Sequence, residues 1–138
     1  MTTALLLALT ILCWGIAPIF DKAALRRGDP FLGMALRGVI IGICMLAVLL
    51  LSGKAKEIAL MPKQSALFFS ISGILAGLIG VLTYFKALQY APTSKIVPLA
   101  ATYPLVTALL SILFLGESLT ALRFLGIVLI IAGIWLVK

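Results

Sequence analysis

Long apolar runs broken by short polar segments organise this chain. They extend from about Ala4 to Phe20, from Phe31 to Leu51 with Arg37 as an interruption, and from Ala66 to Phe85. Two more run from Ile96 to Leu115 and from Ala121 to Val137, the last with Arg123 in its first turn. Each approaches the roughly 20 residues that a helix needs to cross ~30 Å of hydrocarbon. In lipid only helices and closed barrels satisfy every backbone hydrogen bond, and these runs lack the alternation of barrel strands. The pattern predicts an all-α integral membrane protein with five transmembrane helices, forming one membrane unit over residues 1–138.

The connections read as "DKAALRRGDP", "SGKAKEIALMPKQ", "ALQYAPTSK" and "GESLT". In the last, Gly116 suits the left-handed conformation that ends one helix, and Thr120 suits the cap of the next. Glu117 lies near that next N-terminus, where a negative charge is favoured; a role in ion coupling is the alternative. The opening "MTTALLLALTILCWG" has no basic leader region and no convincing cleavage site, so it reads as a first span that is kept.

Composition settles the solvent. Of 138 residues, 64% are hydrophobic and 11% charged, and the mean hydropathy is +1.29. A soluble domain is nearer about half apolar and a quarter charged, so the surroundings here are a lipid bilayer. The net charge of +7 gathers in the breaks between runs, which suits headgroups and topology rather than nucleic acid. Cys13 and Cys44 fall inside apolar runs and the chain has no histidine, so no disulfide framework, metal or cofactor is implied. All four acids, Asp21, Asp29, Glu57 and Glu117, fall at span ends or in loops, which leaves no mid-span carboxylate for proton exchange. Without a nucleophile–base pair or a phosphate-cradling loop, the sequence does not read as an enzyme.

Small and polar residues then mark faces. Ser70, Gly73, Gly77, Gly80, Tyr84 and Ala87 recur at steps of three or four; Gly38 and Gly42 form a GxxxG pair, and Gly126 and Gly133 repeat at seven. Two readings stand: close helix packing, or room for a solute beside the backbone. Pro104 cannot donate to the carbonyl of Ala100, so the fourth helix is expected to bend there. Ala100, Pro104, Thr107 and Ser111 share one face with Tyr103 at its edge, either a solute path or a passive kink. Pro18 likewise frees the carbonyl of Trp14, which is deep enough to wall a cavity or to anchor at an interface as Trp135 can. Arg37 lies about 9 Å from Phe31 by helical rise, so it either snorkels to the interface or binds an anionic group.

With five crossings, Lys54, Lys56, Lys63 and Arg123 share one side. Lys22, Arg26, Arg27, Arg37, Lys86, Lys95 and Lys138 share the other, and counting loops alone leaves five against four. So small a bias favours the N-terminus outside only weakly and raises insertion in both orientations. Two oppositely oriented copies would make the inverted pair that many transporters build within one chain.

"TYPLVTALLSILFLGESLT" followed by "RFLGIVLIIAGIWLVK" resembles the end of an EamA-type domain of the drug/metabolite transporter superfamily. The resemblance takes in Pro104, the Leu115-Gly116-Glu117 turn, and Gly126 and Gly133; "WGIAPIFDKAAL" and Arg37 extend it to the first two helices. It covers essentially the whole chain. It implies half of a ten-helix transporter: a homodimer, parallel or antiparallel, or a heterodimer with a similar unit. A central cavity between units would carry a small organic solute across a cell (plasma) membrane by alternating access. Trp14, Arg37, Tyr84, Tyr103, Pro104 and Thr107 are the candidate substrate-binding residues. Small relatives with an embedded glutamate in the first helix work by proton exchange, and this chain has no acid before Asp21. The rival reading is an accessory membrane subunit, or a component of a lipid-linked-sugar flippase, that needs a different partner.

Overall fold

The computed structural model describes residues 2–118 and 120–137, which are helical or in short turns with no strand among them. Lys138 of the charge count and Leu119 of the fourth connection lie outside the described residues. Two compact units are present, Met1–Tyr90 and Ala91–Lys138.

The first unit contains α1 (Thr3–Leu25), α2 (Pro30–Leu51), a short α3 (Ala55–Ala59), and a continuous helix from Lys63 to Tyr90. That helix divides into α4 (Lys63–Ser72), a π-helical segment (Gly73–Gly80) and α5 (Val81–Tyr90). The first span is longer than its apolar run, because the helix carries Asp21 and Lys22 inside it rather than ending at them. Both charges are matched: Asp21 pairs with Arg37, and the Lys22 ammonium donates to the carbonyl of Leu88. α2 starts where expected, for a reason the apolar pattern does not contain. The Asp29 carboxylate accepts from the backbone N–H of Leu32 at 2.9 Å, and Pro30 occupies the first turn, where no donor is needed.

The π segment is eight residues long, whereas such geometry is usually a single turn. The register shows at Gly80, where an added Cβ would sit 3.1 Å from the carbonyl oxygen of Leu75, five residues back, the oxygen that π geometry brings close. Gly77 meets open space at the same test. Gly77→Ala is therefore expected to gain about 0.5–1 kcal/mol from helix propensity, and Gly80→Ala to lose that gain against the Leu75 carbonyl. Thermal unfolding of the two variants in detergent checks the order.

The helices of the first unit meet at one end. α5 packs against both α1 and α2. Phe85, at 3% exposure, Leu88, at 0%, and Leu25, at 8%, form the core there with Pro18 and Pro30. Gln89 holds the α1–α2 turn by donating to the Gly28 carbonyl at 3.2 Å. Away from that end the glycines do not bring backbones together: a Cβ at Gly38, Gly42, Gly73 or Gly77 would meet nothing within 4 Å. Close packing through these glycines is thus absent within the unit, and Gly38, Gly73 and Gly77 open onto a groove instead.

The second unit contains α6 (Thr93–Ala100), α7 (Tyr103–Leu115) and α8 (Ala121–Val137), with α6 packed on α8. The span Thr93–Leu115 is broken at Ala101 and Thr102, where ψ is 9° and −12°. Pro98 removes the donor that would reach the Ser94 carbonyl, and the end of α6 tightens: the Thr102 N–H reaches Leu99 at 3.2 Å and its hydroxyl donates to the same carbonyl at 2.8 Å. α7 restarts at Tyr103 with Pro104 in its first turn. The proline that a continuous helix would resent stands where a new helix accepts it. The break at Ala101 and Thr102 thus lies in the turn just before Pro104, the turn from which proline withholds a donor.

At the end of α7, Gly116 takes φ 65° and the N–H of Glu117 reaches back to the Ser111 carbonyl at 3.3 Å. Thr120 then caps α8, accepting from the Arg123 N–H at 3.3 Å. Both residues perform the roles their types predict. Four helices, Thr3–Leu25, Pro30–Leu51, Lys63–Tyr90 and Thr93–Leu115, are long and apolar enough to cross a membrane. α8 is apolar and, at 17 residues, shorter.

Candidate functional site

Charge in the first unit converges where its helices meet. Asp21 lies one turn before the end of α1, and Arg37 lies two turns into α2. In an antiparallel hairpin turning at residues 26–29, their levels differ by about three residues, or ~4.5 Å, a gap an arginine stem spans. The Arg37 Nη1 donates to Asp21 Oδ2 at 3.2 Å and Oδ1 at 3.4 Å. The carboxylate side chain is 17% exposed and the guanidinium side chain 42%.

Beneath the pair lies α5. The guanidinium carbon stands 5.7 Å from the centroid of the Phe85 ring, within cation–π range. The Phe85 ring fits because Gly33 has no side chain, as a Cβ there would already lie 3.8 Å from it. Tyr84, half-buried, has its ring centroid 6.5 Å from that of Phe85 and feels the charges of both Asp21 and Arg37.

Two grooves flank this cluster. One, of about 780 Å³, runs between α1 and α2, with Asp21, Arg27, Asp29 and Arg37 among its polar lining and Phe85 as an apolar wall. The other, also about 780 Å³, lies between α2 and the π segment, over Gly38, Ser70, Gly73 and Gly77. Arg37 lines both.

The second unit has a smaller groove of about 490 Å³ between α7 and α8. Tyr103, Pro104, Thr107 and Ser111 line it from α7, facing Glu117, Arg123 and Gly126. The hydroxyls of Thr107 and Ser111 donate to the carbonyls of Tyr103 and Ala108 at 3.2 and 3.1 Å. They therefore face a solute as acceptors, their hydrogens being engaged with their own helix.

Of the residues singled out from sequence, Arg37 and Tyr84 come together in the first unit, and Tyr103, Pro104 and Thr107 in the second. Trp14 lies on α1 with 66% exposure and lines none of these grooves. Asp21 and Phe85 both contact the head of Arg37. Asp21 and Phe85 are members of the cluster that the apolar pattern passed over. Opposite charges at matched levels of a helical hairpin were the signal for Asp21. For Phe85 it was the helical period within Val81–Tyr90, where Val81, Tyr84, Phe85 and Leu88 share a face opposite Thr83 and Lys86.

Comparison with known proteins gives a consistent picture. The model of the EamA-like transporter family matches residues 1–138. An uncharacterized protein of Methanocaldococcus jannaschii is 36% identical over 139 residues, covering 100% of this chain and 98% of the relative. An uncharacterized transporter of a Sinorhizobium species is 27% identical, covering 86% of this chain and 83% of its own. An uncharacterized transporter of Bacillus subtilis is 29% identical over 96% of this chain, which spans only 42% of the relative. No solved structure matches the chain significantly.

Proposed function

We propose, since the chain belongs to the EamA-like transporter family, that it is a five-helix half of a secondary transporter for small organic solutes. The chain is an integral membrane protein of a transporter family. On this reading α8 is the fifth crossing, since its 17 residues stand at the short end of the ~17–25 that span hydrocarbon. Two units pair, as a homodimer or with a similar chain in the plasma membrane, and rock about a site near the bilayer midplane. Relatives of both lengths support the pairing: one is matched from end to end, and another is matched over 42% of its length.

The observation that carries the reading is the Asp21–Arg37 pair on Phe85. Ionisable groups inside membrane helices are costly, face a protein interior or a wet cavity, and mark solute paths. Here the pair borders a groove large enough for a small metabolite. Substrate contacts are assigned to Arg37 and Tyr84, with Trp14 further along α1, and to Tyr103, Pro104 and Thr107 along the α7–α8 groove.

Liposomes holding only this protein, loaded with a mixed metabolite extract, test the reading. Selective loss of one class of solute is expected, several-fold faster than from protein-free liposomes. A tandem fusion of two copies that releases nothing would assign the chain to an accessory role.

A further inference from the structure

The α1–α2 groove holds two carboxylates and two guanidinium groups, and they are not equally committed. Asp29 spends its carboxylate on the Leu32 N–H at the start of α2. Asp21 has both oxygens on Arg37. Arg37 answers through Nη1 alone, so its Nε and Nη2 donors remain for another acceptor, on a side chain that is 42% exposed. Arg27 lines the same groove, and its guanidinium makes no hydrogen bond or ion pair with the described residues. Both acids are occupied, while one guanidinium is unspent and the other half-spent. The remaining lining, including Leu32, Leu36, Ile40 and Phe85, is apolar.

We propose that this groove binds an amphipathic organic anion: a carboxylate or phosphate held by Arg27 and the free edge of Arg37, with a hydrocarbon or aromatic body along α2 and Phe85. The inference rests on the transporter reading and names its substrate class. Guanidinium groups suit the task because their planar donor fork matches an oxyanion with two parallel hydrogen bonds. Asp21 sets the selectivity. It holds Arg37 in place without consuming its fork, and it repels a second carboxylate that would sit on the wrong side. A cationic solute would meet two positive groups with no acid left to receive it, and a neutral one would leave Arg27 without an anion partner. The occupant is a dissolved solute rather than a lipid headgroup: the groove of about 780 Å³ holds the charges and the apolar lining together, room for a whole small molecule.

Binding can be read without transport. The full chain in nanodiscs of uncharged phosphatidylcholine is titrated calorimetrically with 4-phenylbutyrate, 4-phenylbutanol and 4-phenylbutylamine, which share a body and differ in head. The anion is expected to bind at least ~10-fold more tightly than the other two, the scale of one charge-assisted hydrogen bond. Arg27→Gln, in the turn and free of packing duties, is expected to weaken 4-phenylbutyrate ~10-fold and leave 4-phenylbutanol unchanged. Arg37→Lys keeps the charge beside Asp21 while losing the fork, and is expected to weaken the anion several-fold. Equal affinity for the three heads, or indifference to Arg27→Gln, would overturn the assignment. So would loss of 4-phenylbutyrate binding when phosphatidylglycerol is added to the nanodiscs, which would give the site to a lipid headgroup. Anion binding without flux in liposomes upholds the site while removing the transport reading. Flux of other solutes without anion binding does the reverse.

Discussion

Phe85→Ala is expected to lower the stability of the first unit by about 2–3 kcal/mol and to release Arg37 from its place. In a water-soluble core a Phe→Ala change costs about 3–5 kcal/mol, part of it lost transfer from water and part the cavity left behind. Here the transfer part shrinks, because helices apart in a bilayer already lie in hydrocarbon. The cavity part stays: Phe85 is 3% exposed where α1, α2 and α5 meet, and Gly33 has no side chain with which to refill the space. Loss of the ring also removes the surface over which the guanidinium stands at 5.7 Å. Phe85→Leu keeps most of the volume and should recover more than half of the loss. Thermal unfolding in detergent reads both, and a Phe85→Ala variant as stable as the parent would show that the helices are not joined at this end.

Phe85 also marks the limit of what the sequence makes legible. Apolar runs reveal spans because charge is expensive in lipid, and the ends of α2 and α8 fall within a residue of the runs that predict them. Inside a span the same logic goes silent. Lipid and protein interior are equally apolar, so nothing in "GILAGLIG" says which side faces which, or that its hydrogen bonds run in π register. The glycines at 73, 77 and 80 read as one α-helical stripe, for packing or for a solute; Gly73 and Gly77 border a groove, while Gly80 crowds its own backbone. Charges mislead in the opposite sense. Counting Asp21 as the end of the first span removed it from the site, although the helix continues to Leu25 because Arg37 and the Leu88 carbonyl answer its two charges. Pro104 is legible as a break and illegible as to kind, since only the backbone at Ala101 and Thr102 shows that the helix has already stopped.

These two lessons meet in the ion pair, where the expected result is an asymmetry. Removing one member of a buried pair costs about 3–5 kcal/mol, and an exposed pair is worth under ~1 kcal/mol, so a half-buried pair belongs between them. Arg37→Met strands Asp21, whose short side chain is 17% exposed and cannot reach water by extending. Asp21→Leu strands Arg37, which is 42% exposed and has a long stem that can carry its head to the interface. Arg37→Met is therefore expected to cost about 2–3 kcal/mol and Asp21→Leu about 1 kcal/mol. The double variant should return close to the parent, because two apolar side chains replace the pair with no charge left over. A double-mutant cycle by thermal unfolding measures the coupling directly. Transport separates structure from function in the same set of proteins. If the pair serves only to hold α1 against α2, the stable double variant carries solute as the parent does. If Arg37 meets the solute, the double variant folds and carries none, and recovery of flux in it would remove Arg37 from the path.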